Sequence, residues 1–321
     1  MPHTSDLRQS DPAVGILNDG VPVIDAHRLL DSDPGVREAI IDEIRLACLE
    51  TGFFYLRNAF ADNATCASVE RQMQRFFALR DDDPRKQAVV ASDASGAFGW
   101  TPMFGEPSYQ PGTVSHMESF DCGIDNNLNA WPELDNFESD ICVYRDTLAN
   151  VADAVLEVLA EAAGIDRRFF ADRCNSQELN TLRLLHYPEN DAPDCDINVG
   201  IAAHTDFECI TFISQTAPGL ELTDVNGHWY DAPGDSSRIV VLLDDMLERW
   251  TNGFYKATGH RVRNTPWRRY STVIFFAVND DVVVEPLPQF RVRGEPPAYE
   301  PIRQRHHIDT EIERAVENRG D

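Results

Sequence analysis

From residue 179 onward the chain is a succession of short runs rich in β-branched and aromatic residues, each closed by a turn. The runs are LNTLRLLHYP, GIAAHTDFECITFIS, LELTD, HWYDAP, SRIVVLL, HRVRN, RRYSTVIFFAV and DVVVEPL. Strands this short and this often interrupted bury their apolar faces only by packing sheet on sheet or by closing a barrel. The expected fold class is mainly β, an antiparallel sandwich or barrel, with flanking α-helices.

The helices are legible before residue 179. VPVIDAH (21–27) reads as a strand, and the helix after it takes Asp33 as N-cap, Pro34 at N1 and Gly52 just past its end. Val36, Ile40, Ile44, Ala47 and Cys48 form one apolar stripe along it. FFYLRNAF follows as a strand, and then DNATCASVERQMQRFFALR as a second amphipathic helix with Cys66, Val69, Met73, Phe76 and Phe77 inward. Residues 138–164 carry a long apolar-faced helix ending at Gly164. Between these helices, residues 81–135 are rich in Gly, Pro, Ser and Asp with little periodicity, which predicts a binding loop or lid that can hide short strands. The polar tail reads as helical near IDTEIERAVEN. No internal repeat divides the chain, so residues 1–321 are expected to form one domain. Its parts are a mostly helical segment with the substrate loop (1–175), the β core (176–290) and a tail or helix (291–321).

Charge narrows the partners. A net charge of −26 repels phosphate, which argues against nucleic acid and anionic membranes, and no apolar run approaches the length of a membrane span. The amino-terminal stretch has no basic segment followed by an apolar one, and the seven cysteines are scattered without a C-x-x-C pair. A reduced, cytoplasmic protein is expected. Only two lysines, Lys86 and Lys256, are available for any chemistry that needs a Schiff base.

Chemistry enters at GIAAHTDFECITF, where His204 and Asp206 stand two apart inside an apolar run. Positions i and i+2 of a strand share a face, and aspartate is a poor strand residue. His260, in YKATGHRVRN, supplies a second imidazole downstream. Two imidazoles and one carboxylate are the donor set of the facial triad of non-heme Fe(II) oxygenases, which leaves positions open for other ligands. In RRYSTVIFF, Arg269 and Ser271 also share strand parity, so a guanidinium and a hydroxyl converge in a way that suits a carboxylate. Tyr187, in LLHYP, adds a phenolic donor.

Taken in order, VPVID, ACLETGFFYL, SHMESFDCG, RLLHYP, GIAAHTDFECITF, WTNGFYKATGHRV and RRYSTVIFF resemble the 2-oxoglutarate/Fe(II)-dependent oxygenases of the isopenicillin N synthase type across most of the chain. The resemblance implies a double-stranded β-helix (jelly roll) with helical buttresses. It implies His204, Asp206 and His260 as iron ligands, and Arg269, Ser271 and Tyr187 as the site for the distal carboxylate of 2-oxoglutarate. It also places Glu118 and Phe120 in a loop. Fe(II), 2-oxoglutarate and O2 are the implied cofactor and co-substrates. Leu185, the run Leu242–Asp245 and Glu208 stand where many relatives carry Asn, N-x-G-D and Gly.

The implied reaction is hydroxylation, desaturation or cyclisation of a small metabolite, coupled to decarboxylation of 2-oxoglutarate to succinate and CO2. Two other classes share the motifs: an Fe(II) oxidase of the same fold that uses no 2-oxoglutarate, and a non-catalytic jelly-roll metal-binding protein. Oxygen-dependent succinate production separates the first, and an anaerobic Fe(II) titration separates the second. Around the centre, Arg183 shares parity with Leu185 and Tyr187 and can reach either the pocket or a salt bridge. Glu208 faces the pocket if its strand stays regular, and solvent if a bulge follows Asp206. His186 should face away from Tyr187. His116, His228, His306 and His307 read as surface or turn residues. The prime substrate and the oligomeric state have no signature in the chain.

Overall fold

The computed structural model describes residues 15–16, 20–91, 98–106, 109–176, 178–190 and 198–318. The amino-terminal part runs β1 (Gly15–Ile16), β2 (Pro22–Asp25), α1 (Pro34–Glu50), β3 (Phe53–Arg57) and α2 (Ala64–Phe77). α1 starts where the Asp33 carboxylate accepts from the amides of Gly35 and Val36, with Pro34 in the first turn, where a missing N–H costs nothing. It stops at Gly52, whose φ of 83° is a left-handed turn that a side chain would resist. α3 (Pro84–Gln87), β4 (Trp100–Thr101), β5 (Val114–Ser115), β6 (Glu118–Gly123) and the long α4 (Phe137–Ala162) follow.

The second half runs β7 (Thr181–Tyr187), β8 (Asn198–Val199), β9 (Ile201–His204), β10 (Ile210–Gln215), β11 (Leu220–Thr223), β12 (Trp229–Asp231) and β13 (Ile239–Leu243). α5 (Asp245–Trp250), β14 (His260–Val262), β15 (Arg269–Phe276), β16 (Val283–Val284), β17 (Ile302–Arg303) and α6 (Gln304–Asn318) complete it.

Among the described residues, nine strands form one sheet in the order β1-β2-β3-β13-β10-β15-β7-β6-β4, and β12-β11-β14-β9 form a second. Leu222, Ile201 and Val262 of the small sheet pack against Tyr55, Leu185, Ile213 and Val273 of the large one. The other face of the large sheet carries α1, α2 and α4, through Ile44, Phe76 and Leu148 among others. A sheet covered on both faces has no solvent-facing side, which is why β10 and β13 are buried at every position and β13 reads as an unbroken apolar run. The result is the expected jelly roll with helical buttresses.

Two expectations change. GIAAHTDFECITFIS is two strands in different sheets, and residues 205–209 between them belong to neither. Glu118 and Phe120 lie on β6, inside the large sheet between β7 and β4, rather than in a loop. Burial on both faces of ESFDCG removes the alternation that would have marked it as a strand.

Candidate active site

His204 closes β9 and His260 opens β14, and the two are directly opposed partners of an antiparallel pair. Their rings lie 4.2 Å apart. Asp206 joins them from the irregular segment after β9, so strand parity does not aim it. Its Oδ1 is 3.6 Å from the Nε2 of each histidine. That is beyond hydrogen-bonding distance. The proton of each ring is committed elsewhere: Nδ1 of His204 meets the Ala202 carbonyl at 2.8 Å, and Nδ1 of His260 meets the Thr258 carbonyl at 3.2 Å. A carbonyl only accepts, so Nδ1 carries the hydrogen and Nε2 presents a lone pair. Burial, and then His260, push the His204 pKa down to about 3, so its ring is neutral.

At the other end, Arg269 and Ser271 on β15 stand opposite Tyr187 and Leu185 on β7. Arg269 is fully buried, its guanidinium lies 4.1 Å over the Tyr187 ring, and its Nε donates to Gln215 Oε1 at 2.8 Å. Its Nη1 and the Tyr187 hydroxyl have no hydrogen-bond partner among the described residues. Burial lowers the Arg269 pKa from its ordinary value, and raises that of Tyr187 to about 12 against the pull of Arg269. Both groups are donors in search of an acceptor. The Ser271 hydroxyl differs, since it donates to the Ser214 carbonyl at 2.7 Å.

Arg183 does face inward, and it is held in an ion-pair network. It grips Asp121 through two bonds of 2.9 and 3.0 Å and Glu106 through one of 2.6 Å. Burial alone would lower its pKa, but the two carboxylates outweigh it and raise it well above the ordinary value. Glu106 also accepts from the Tyr109 hydroxyl at 3.3 Å, and the Tyr109 ring lies flat on His204, 4.2 Å away and 5° from parallel. Arg183 thus reaches His204 through Glu106 and Tyr109, two residues in an aperiodic stretch that gave no sign of them. Glu208, in the irregular segment, folds its carboxylate back onto the Phe207 amide at 3.0 Å. Burial, with Asp206 nearby, pushes it up to about 8.

The remaining histidines divide. His228 and His306 are exposed, as expected. His186 points to the opposite side of its sheet, toward Glu118, also as expected. His116 is half-buried, stacked on Phe104. His307 is the exception to the surface reading, because it is buried against Asp245. It borders a cavity of about 570 Å³ walled by His204, Tyr109, Phe207, Arg249 and Tyr299.

Residues 179–278 match the 2OG-Fe(II) oxygenase superfamily, and residues 21–136 match the family described as non-haem dioxygenase in morphine synthesis N-terminal. The 2-oxoglutarate-dependent dioxygenase citB of Monascus ruber is 33% identical over 293 residues, covering 83% of this chain and 87% of that protein. The chain belongs to the 2-oxoglutarate/Fe(II) oxygenases.

Homoarginine-6-hydroxylase 2-ODD-C23 of Glycine max is 27% identical, covering 85% of this oxygenase and 90% of its own length. Among solved structures, a full-length Neurospora crassa protein in complex with alpha-KG superposes with a TM-score of 0.80 at 25% identity, over 96% of this chain and all of that one. The oxygenase is an oxidoreductase that uses Fe(II), 2-oxoglutarate and O2 on a small molecule. Its residues fit that chemistry. Two nitrogen lone pairs and a carboxylate meet with no proton between them, and Asp206 Oδ2 is buried without a partner among the described residues. Such a meeting is repulsive until a cation enters. A buried guanidinium with a bare N–H likewise calls for an anion.

Proposed function

We propose that His204, Asp206 and His260 hold the Fe(II), and that Arg269 and Tyr187, aided by Ser271, hold the distal carboxylate of 2-oxoglutarate. The observation that carries this reading is the proton accounting at the histidines. Both Nδ1–H groups are tied to backbone carbonyls, so both Nε2 atoms are free to ligate and neither can rotate away without losing a hydrogen bond. Arg269 neutralises the distal carboxylate in a dry site and orients it through a planar fork, while the protonated Tyr187 adds one donor. Ser271 contributes only if its hydroxyl turns from the Ser214 carbonyl. The Tyr109 ring covers one face of His204. Bound there, iron with 2-oxoglutarate supplies O2 activation, so that decarboxylation to succinate and CO2 accompanies hydroxylation, desaturation or ring closure of the metabolite.

Relatives named for homoarginine hydroxylation and for clavatol oxidation support a small metabolite as prime substrate, with the cavity beside His204 receiving it. The acidic charge favours a small molecule over nucleic acid or an anionic membrane as partner. None of the described helices is long and apolar enough to cross a membrane. Six cysteines are free thiols, which supports a reducing, cytoplasmic setting; Cys195 lies outside the described residues. The test is an anaerobic titration. Fe(II) followed by 2-oxoglutarate should produce a visible charge-transfer band, and O2 should then yield succinate. Neither appearing with the intact chain would overturn the assignment.

A further inference from the structure

Asp206 sits in a segment that no strand holds, so something else must aim it. Its backbone supplies the answer. The carbonyls of four consecutive residues, Asp206 to Cys209, each accept a hydrogen bond. Three come from the start of α5, whose first amides have no partner within their own helix. Asp245 N–H donates to Asp206 at 3.1 Å, Met246 N–H to Glu208 at 2.9 Å and Asp244 N–H to Cys209 at 3.2 Å. The remaining carbonyl, that of Phe207, is taken by a side chain from the far end of the chain. Gln304, the first residue of α6, is fully buried and donates from Nε2 to that carbonyl at 2.7 Å. Its Oε1 meanwhile accepts from the amide of Val278, just past β15, at 3.1 Å.

One turn later His307 packs edge-on against the Phe207 ring at 5.8 Å and 86°, and its Nε2 meets Asp245 Oδ2 at 2.8 Å. Asp245 is the residue whose amide holds the Asp206 carbonyl. Gln304 and His307 therefore act on the same short segment, one on its backbone and one on the helix start that braces it.

We propose that α6 is part of the iron site, with Gln304 and His307 as positioning residues that fix the direction of the Asp206 carboxylate and so set Fe(II) affinity. The inference rests on Asp206 being a ligand. The physical reason is that the soft backbone torsions on either side of the planar peptide joining Asp206 to Phe207 set the direction in which the carboxylate leaves the chain, so that peptide and the next must both be held. Gln304 clamps the Phe207 carbonyl, beside those torsions, to the end of the strand that begins with Arg269. Iron loop and 2-oxoglutarate strand are thereby tied through one amide side chain.

The experiment uses the full chain and reads the Fe(II) dissociation constant anaerobically, with saturating 2-oxoglutarate, well below each variant's own melting temperature. Gln304→Glu keeps the acceptor for Val278 and removes the donor to Phe207, whereas Gln304→Met removes both. His307→Leu breaks the contact with Asp245, and His307→Gln retains a donor. Gln304→Glu, Gln304→Met and His307→Leu should each weaken Fe(II) binding about tenfold, the lower end for groups that orient metal ligands, and His307→Gln should recover most of the loss. Lowered melting temperature with Fe(II) affinity within twofold of the parent would mean a merely structural role and overturn the proposal. If the Gln304 variants do not fold, the His307 pair decides by the same criterion. Asp206→Ala is the control: retained Fe(II) binding there would refute the ligand assignment rather than the positioning.

Discussion

Arg269 and Ser271 stand on β15, paired on one side with β7 and on the other with β10, near the middle of the large sheet. Asp206 stands on no strand, and the carbonyls of its segment accept hydrogen bonds from the start of α5 and from α6. They are the two ends of the proposed site, built by different means. A residue on a doubly paired strand has its direction set by the pleat, and turning it outward requires a register slip that exposes the strand's whole apolar face. A residue in an irregular segment has its direction set by a few separate contacts, each of which can be lost alone. The clamp should therefore tolerate remote substitutions that the metal end does not.

The largest effect should come from the metal end. His260→Ala removes one of three donors, and both the charge-transfer band and turnover should vanish. Full turnover in that variant would break the comparison at its root, by showing that the triad is not the metal site.

Next in size is a change behind the clamp, on the outer face of the same sheet. Glu118 there meets Lys86 at 2.8 Å, His186 at 2.8 Å and Trp100 Nε1 at 2.7 Å, with Glu118 and Lys86 both buried. Burial would raise the Glu118 pKa, but the hydrogen bonds from His186, Lys86 and Trp100 outweigh it and hold it below its ordinary value. Glu118→Gln leaves Lys86 short of its buried counter-charge and should cost about 3–5 kcal/mol of stability in urea unfolding. The sign with pH follows from the lowered pKa. The contribution is complete above the ordinary glutamate value of about 4.3 and is lost as pH falls through the lower folded value, so parent and variant should converge in acid. Iron and 2-oxoglutarate affinities should change little, since β7 turns His186 and Tyr187 to opposite faces. A gap that widens in acid, or a large change in iron affinity, would contradict the separation of the two faces.

Arg269→Lys comes third. A lysine cannot reproduce the planar fork, and losing one charged hydrogen bond of about 1.5–3 kcal/mol should raise the KM for 2-oxoglutarate roughly 10–150-fold, with Fe(II) affinity near the parent's. A rise in the KM for prime substrate instead would transfer the clamp to that molecule. Ser271→Ala should be smallest, a few-fold to about tenfold in the same KM, because the hydroxyl already donates to Ser214. An effect as large as that of Arg269→Lys would mean that the hydroxyl turns fully to the co-substrate.

The same comparison explains what could be read in the chain. Parity paired Arg269 with Ser271 and Arg183 with Tyr187, because β7 and β15 are regular throughout, while which face turned inward and whether Arg183 entered a salt bridge were left open. The buried stripes of α1 and α2 were legible for the same reason. For Glu208, parity was applied across residues that are not strand, and its carboxylate accepts from the Phe207 amide. His307 was read as a surface residue because α6 is mostly polar, and a single buried histidine leaves no stripe.

By residue type and by periodicity within single elements, the amino-acid sequence determined a mainly β sandwich or barrel with flanking helices and supplied the imidazoles, carboxylate, guanidinium and phenol of the proposed iron and co-substrate sites, while the jelly roll was implied by resemblance. Only the tertiary structure decided how those groups are held. Whether the Asp206 segment meets Gln304, 97 positions beyond Phe207, depends on how α6 closes back over the sheet. Whether Tyr109 lies on His204 depends on the path of an aperiodic loop. Such contacts join residues remote in sequence whose directions no local repeat encodes, so they exist only once the chain has closed upon itself.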